Sequence, residues 1–259
     1  MAGKSYEELT FTDDFMFCKV LENDPTLCKE LIETILGVGI EIVDKVGRQK
    51  SIEIMPDGKG IRLDVHLEGD GRIFNLEMQN AKKDDLPRRT RYYQGMIDLD
   101  QLEKGVKYKE LKDSYIIFIC RFDPFGKGYR SYTLKTVVDE NTEIEYNDGT
   151  HKLFLSSLPG LKGTMSEELR QFLSYVNGNA PEGDLTKRLD AAVEQAKSMA
   201  SWRKEYMFLY EIKDEARAEG RIETIIEFVK DGKISIEEAA SKANMTPEEF
   251  KEMLETSTE

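Results

Sequence analysis

The sequence predicts an α/β protein: a mixed sheet flanked by helices, followed by a C-terminal α-helical extension. Three observations point there. Residues 61–79 (IRLDVHLEGDGRIFNLEMQ) alternate polar and apolar side chains on both sides of Asp70-Gly71, the signature of two strands joined by a two-residue type I′ turn. Tyr115 to Phe122 is the most apolar run of the chain, as a strand buried on both faces requires. From Ser166 onward the pattern turns helical and strongly charged.

Taken in order, Thr12 is expected to cap a helix starting at Asp13, with Phe15, Val20 and Leu21 as its apolar stripe. Asp24-Pro25 ends it. Pro25 opens a second helix whose Leu27, Leu31, Ile32, Ile35 and Leu36 share a face and which stops at Gly37. Ile40 to Val46 and Gln49 to Ile54 read as strand material interrupted by Gly47, and Pro56-Asp57-Gly58 as a turn.

The hairpin follows. If Asp70 and Gly71 form the turn, Gly69 pairs with Arg72, and counting back sets His66 opposite Asn75, Asp64 opposite Glu77 and Arg62 opposite Gln79. Alternation then places Leu63, Val65, Leu67, Phe74, Leu76 and Met78 on one face. Arg62, Asp64, His66, Asn75, Glu77 and Gln79 share the other, with Ile73. Two opposed carboxylates repel at a Cβ separation of about 4.5–5.5 Å unless a cation lies between them. Hard divalent ions such as Mg²⁺ use one or two carboxylates together with water and phosphate oxygens. A solvated face carrying incidental acids is the competing reading.

Leu86 to Leu102 predicts a helix with Pro87 near its start, and Tyr93, Met96 and Ile97 on one face. Arg88, Arg91 and Tyr92 fall together on a neighbouring face. With Lys82, Lys83 and Arg89 they form the densest basic cluster of the chain. Arginines interleaved with tyrosines suit a nucleic-acid backbone; a solvated face paired with Asp84 and Asp85 is the alternative. Beyond the strand at 115–122, Tyr129 to Val138 suggests another, and Glu143 to Tyr146 with Lys152 to Leu155 suggests a hairpin across Asn147-Asp148-Gly149. Ser166 starts a helix to about Val176, and 177–181 is a linker. Residues 184–231 read as one long charged helical stretch, and 232–259 as a small helix-turn-helix-like hairpin capped by Ser235 and by Thr246-Pro247. The second helix of that hairpin is acidic, which disfavours a major groove and favours a protein partner.

The combination of Asp64, Glu77-x-Gln79 and Arg88 to Gly95 (RRTRYYQG) resembles the PD-(D/E)XK nuclease superfamily, and within it the recombination-promoting nuclease / putative transposase family. The likeness continues through TDDFMF (12–17), IIFICRFDPFG (116–126), YTL (132–134) and NDGT (147–150). It implies a restriction-endonuclease-like core over residues 1–165, a helical extension over 166–231 and the hairpin over 232–259. It also implies a metal-dependent DNA endonuclease using Mg²⁺ or Mn²⁺, with Asp64 and Glu77 as ligands and Gln79 in the water-activating position. Asp14 matches the acidic position of the first segment, so it either serves the metal site or, like Asp13, favours a helix N-terminus through the dipole. Gln79 stands where the wider superfamily has Lys and brings no positive charge. DNA is the implied partner, contacted by Arg88, Arg91, Tyr92, Lys82 and Lys83, with a second copy or another protein met through the C-terminal helices.

Composition bounds the rest. The 259 residues are 39% hydrophobic and 34% charged, with a formal net charge of −13, which excludes a general nucleic-acid binder held by bulk electrostatics. No apolar run approaches the roughly 18 residues of a membrane span, and the N-terminus shows no secretory pattern. Cys18, Cys28 and Cys120 follow no ligand spacing, so buried free thiols in a reducing cytoplasm are expected.

Overall fold

The computed structural model describes residues 4–41, 43–52, 61–102 and 105–256. Its centre is the expected hairpin: β2 (Ile61–Gly69) and β3 (Arg72–Gln79) are antiparallel, with Gly69 opposite Arg72 and His66 opposite Asn75. Asp70 and Gly71 both take left-handed φ, 50° and 68°, as the type I′ turn demands. Strand β1 (Val43–Ile52) pairs antiparallel with β2. It is one strand, not two split at Gly47: Gly47 pairs with His66, and the irregularity lies between Val43 and Lys45. A glycine in mid-strand keeps its ladder bonds, so it does not by itself break the element. The turn expected at 56–58 lies outside the described residues.

After β3 the chain crosses over through α3 (Leu86–Gln101) to β4 (Asp113–Cys120), which lies parallel to β3, the topology that a helical crossover permits. Strand β5 (Ser131–Leu134) and the short β6 (Val137–Val138) follow, in place of one strand running to Val138. The hairpin expected across Asn147-Asp148-Gly149 does not form. β7 (Asn141–Glu145) pairs with β6, while β8 (Thr150–Ser156) runs parallel to β4 and antiparallel to β5. The apolar Phe154 and Leu155 are buried beside β4, and the five residues of β7 are exposed, so burial drives the two apart. The main sheet therefore has the order β1-β2-β3-β4-β8-β5.

Both faces of this sheet are covered. On one, Leu86, Met96 and Ile97 of α3 pack with Ile73, Ile116, Phe118, Cys120 and Phe154. The polar face of the hairpin is thus roofed rather than solvated: His66, Asn75 and Glu77 are each at most 2% exposed. The neighbouring strand explains this, since the β4 residues on that face are apolar and draw the helix down over their polar neighbours. Helices α1 (Asp14–Asn23), α2 (Pro25–Leu36), α4 (Glu167–Val176) and α5 (Asp184–Ser198) pack against one another, with Ile35 of α2 and Leu169 of α4 bordering Tyr115 and Ile117. The expected Ser166 start and Gly37 stop are seen, the latter with φ 67°, and Asp24 caps α2 through its side chain, whereas α1 begins one residue later than the pattern suggests, with Asp13 as its N-cap.

Residues Glu7–Met199 form one compact unit, so α4 and α5 belong with the sheet. The long charged stretch is two helices, divided at Met199, which takes extended ψ. Met1–Tyr6 and Ala200–Glu259 form the second unit. In it, the end of α6 (Ala200–Lys230) packs Ile225 and Ile226 against Ala239 and Ala240 of α7 (Ile236–Ala243) and Phe250 of α8 (Pro247–Thr256). Asn244, at φ 55°, makes the turn between the last two helices. All three cysteines are buried thiols outside any disulfide. Among the described residues, no helix is long and apolar enough to cross a membrane.

Candidate metal centre

The centre is built where the β2–β3 ladder gives out. Backbone pairing runs from Gly69 opposite Arg72 as far as Val65 opposite Leu76. Beyond it the carboxylates take over the backbone donors: the Asp64 N–H donates to Glu77 Oε1 (3.2 Å), and the Met78 N–H donates to Asp64 Oδ2 (3.1 Å). Each acid is locked to the opposite strand, which holds the two together despite like charge. Asn75, two residues before Glu77 and on the same face, donates from Nδ2 to the same Oε1 (3.0 Å).

Helix α1 supplies the third acid. Asn80, just past β3, donates from Nδ2 to the Thr12 carbonyl at 2.7 Å and so ties the start of α1 to the end of the hairpin. Asp13 is used locally, accepting from the Thr10 N–H and hydroxyl at 2.8 and 2.9 Å. Asp14 instead reaches Asp64: ligand atoms of Asp14, Cys18 and Asp64 all lie within 4.8 Å of one another, a group able to hold a metal ion. Cys18 is one helical turn after Asp14 and its thiol donates to Asp14 Oδ1 at 3.9 Å. Spacing among the three cysteines does not single out Cys18; its i, i+4 relation to Asp14 does.

Burial raises the pKa of Glu77 well above the carboxylate range, and the Asp64 charge adds to it; the hydrogen bonds from Asn75 and from the Asp64 N–H, and the Arg89 charge, act the other way. A nearly fully buried carboxylate beside another acid is costly without a cation, so the donor set fits a hard divalent ion. Asp14 and Asp64 offer oxygens within that group, and Glu77, whose Oε1 accepts from the Asp64 N–H, adjoins it. The Cys18 thiol is a soft ligand, suited to orienting Asp14 more than to binding such an ion.

Of the remaining expected site residues, Gln79 is half-buried and its Nε2 donates to the Met78 carbonyl (3.0 Å) rather than to either acid. Lys82, Lys83, Arg88, Arg91 and Tyr92 are exposed, the last three on the outer side of α3. Arg89 differs from its neighbours. It turns inward, with its guanidinium carbon 5.7 Å from the Tyr93 ring centroid and 5.5 Å from that of Phe118. Its Nε and Nη2 are buried with no hydrogen-bond partner. Each such unmade bond costs about 1–3 kcal/mol, and more for a charged group. Tyr93, pushed up to about 12 by burial and by Glu77, keeps its phenol proton beside it.

A mixed sheet flanked by helices, whose central hairpin opens onto an acidic cluster beside a basic helix, is the architecture of a nuclease-like fold. Residues 12–239 match the PD-(D/E)XK nuclease family transposases, and the chain belongs to that family. No curated protein and no solved structure matches it.

Proposed function

We propose that the protein is a metal-dependent DNA endonuclease that hydrolyses phosphodiester bonds, of the recombination-promoting, transposase-like type. The meeting of Asp14 and Asp64 in one group able to hold a metal ion, with the buried Glu77 accepting from the Asp64 N–H beside it, carries this reading. These residues would hold Mg²⁺ or Mn²⁺. A divalent ion there supplies a bound water of lowered pKa and stabilises charge on the phosphoryl group. The chain does the rest. Asn75 orients Glu77, the Asp64–Met78 bond orients Asp64, and the Gln79 amide lies at the end of the same strand, where it can orient a water. Arg88, Arg91, Tyr92, Lys82 and Lys83 form a basic face for the phosphate backbone within an acidic chain. The exposed Glu248, Glu249 and Glu252 of α8 suit a protein partner or a second copy better than DNA.

One observation favours a second reading, a nuclease fold kept as a binding module: Gln79 carries no charge and its amide is engaged by Met78. Plasmid incubated with Mg²⁺ or Mn²⁺ separates the two. Nicked or linear product that disappears with chelator, and with Asp64→Asn, is expected of the enzyme. Asp64→Asn should also diminish the rise in melting temperature that Mg²⁺ produces by binding the native state. A wild-type protein that neither cuts nor is stabilised by either ion is the binding module.

A further inference from the structure

Arg88 and Arg91 project outward from α3, but Arg89 between them is turned under the helix. Phe118, over whose ring its guanidinium lies, is the β4 partner of Glu77 in the parallel pairing. The positive charge is therefore held above the strand pair that bears the buried acid. The guanidinium lies against the Tyr93 and Phe118 rings, whose π faces attract the cation but accept none of its N–H bonds in the plane of the group. The two nitrogens without a partner, Nε and Nη2, form one side edge of the guanidinium. That edge takes two oxygens of a carboxylate or phosphate side by side. Glu77 does not fill it: Oε1 accepts from Asp64 and Asn75, and among the described residues no donor reaches Oε2.

We propose that Arg89 is the oxyanion-binding cation of the centre, its Nε–Nη2 edge taking non-bridging oxygens of the scissile phosphate. This rests on the endonuclease reading and adds to it a residue that the basic face on the outside of α3 does not contain. Arginine stays charged at every working pH, so it supplies the fixed positive charge that Gln79 lacks. In the metal-free protein the edge is closed to water, so its donors hold no solvent that a phosphate would have to displace. Arg89 as a whole is half-buried, and the flexible stem lets its head meet a phosphate entering beside the carboxylates.

Two variants of the full chain test this, Arg89→Met, which keeps bulk without charge, and Arg89→Lys, which keeps charge without the side edge. Each is measured for the melting-temperature rise caused by Mg²⁺ alone, and for kcat and KM on plasmid DNA. Both variants should keep the Mg²⁺-dependent rise, because the carboxylates are untouched. Removing one oxyanion donor typically lowers kcat by 10²–10³-fold, and a loss on that order is expected for Arg89→Met, a smaller one for Arg89→Lys, with KM little changed. Wild-type kcat in a folded Arg89→Met protein overturns the assignment. So does loss of the Mg²⁺-dependent rise, which would make Arg89 a support for the metal ligands. If Arg89→Met does not fold, Arg89→Lys decides: undiminished kcat overturns the role of the side edge, and a fall with the Mg²⁺ rise retained supports it. A wild-type protein that fails to cut sinks the endonuclease reading itself, whereas an active wild type with indifferent variants sinks only the role of Arg89.

Discussion

Glu77 sits under two opposed demands, since burial and Asp64 resist its charge while Asn75 and Arg89 favour it. Burial dominates, so its pKa in the folded, metal-free protein lies above its ordinary value near 4.5. The native state then keeps a proton that the unfolded chain releases. That contribution to stability is fully present below about 4.5 and is lost as pH rises through the folded value. Glu77→Gln keeps an acceptor for Asn75 and removes the titration. Calorimetry of the metal-free proteins should show the variant melting higher than wild type at neutral pH, with the difference shrinking toward pH 4.5. Each kcal/mol of relief corresponds to about 2–4 °C in a protein of this size. A variant that melts lower at neutral pH would make the carboxylate a structural anchor. Glu68 behaves oppositely: burial works to raise it, but Lys112 and His66 outweigh that and hold it at about 2. Its contribution is present above the ordinary carboxylate value and fades as pH falls toward about 2, so the two windows do not overlap.

The hairpin and α3 divide the work at the scale of elements. The hairpin sets register through its turn, and a one-residue slip would send Asp64 and Glu77 to the opposite face. Gly71 makes that turn at φ 68°, and an added Cβ would meet nothing within 4 Å. Gly71→Ala should therefore cost only the backbone strain of a left-handed residue, about 1–2 kcal/mol, read from chemical denaturation. A cost near zero would mean that the turn relaxes to another type. α3 has an inner side, where Met96, Ile97 and Arg89 pack on the sheet, and an outer side with Arg88, Arg91 and Tyr92. Arg88→Ala combined with Arg91→Ala should weaken DNA binding alike for all sequences, and the slope of log K against log salt should shrink by about 0.9 for each phosphate that is no longer neutralised. An unchanged slope would return the outer side to an ordinary solvated surface.

At the scale of the whole molecule, every residue assigned to the centre lies in the Glu7–Met199 unit. A chain of residues 7–199 is accordingly expected to keep the Mg²⁺-dependent stabilisation and to cut DNA. Should that piece fold and bind Mg²⁺ yet leave plasmid intact while the full chain cuts, the second unit takes part in catalysis or DNA capture. The helical hairpin at the C-terminus closes its own small core around Phe250, which is why its pattern could be read locally, from Ser235 and Thr246-Pro247 onward.

What the sequence determined by itself is what short-range chemistry controls. Asp70-Gly71 dictated a turn with positive φ at both residues, and alternation then dictated the register that brings Asp64 and Glu77 together. Capping residues and prolines bounded α2, α4, α7 and α8 in the same local way. Tertiary structure decided the rest. β8 abandoned its sequence neighbour β7 for β4, because burial of apolar strands outweighs a local turn signal. The apolar face of β4 drew α3 over a hairpin face that looked solvated, and so buried Glu77 and turned Arg89 inward. Asp14 and Cys18 met Asp64, some 50 residues along the chain, with the help of the Asn80–Thr12 hydrogen bond and through packing that no window of sequence contains. Periodicity reports which face of an element is apolar; which element comes to cover that face is settled only when all of them compete for the same buried surface.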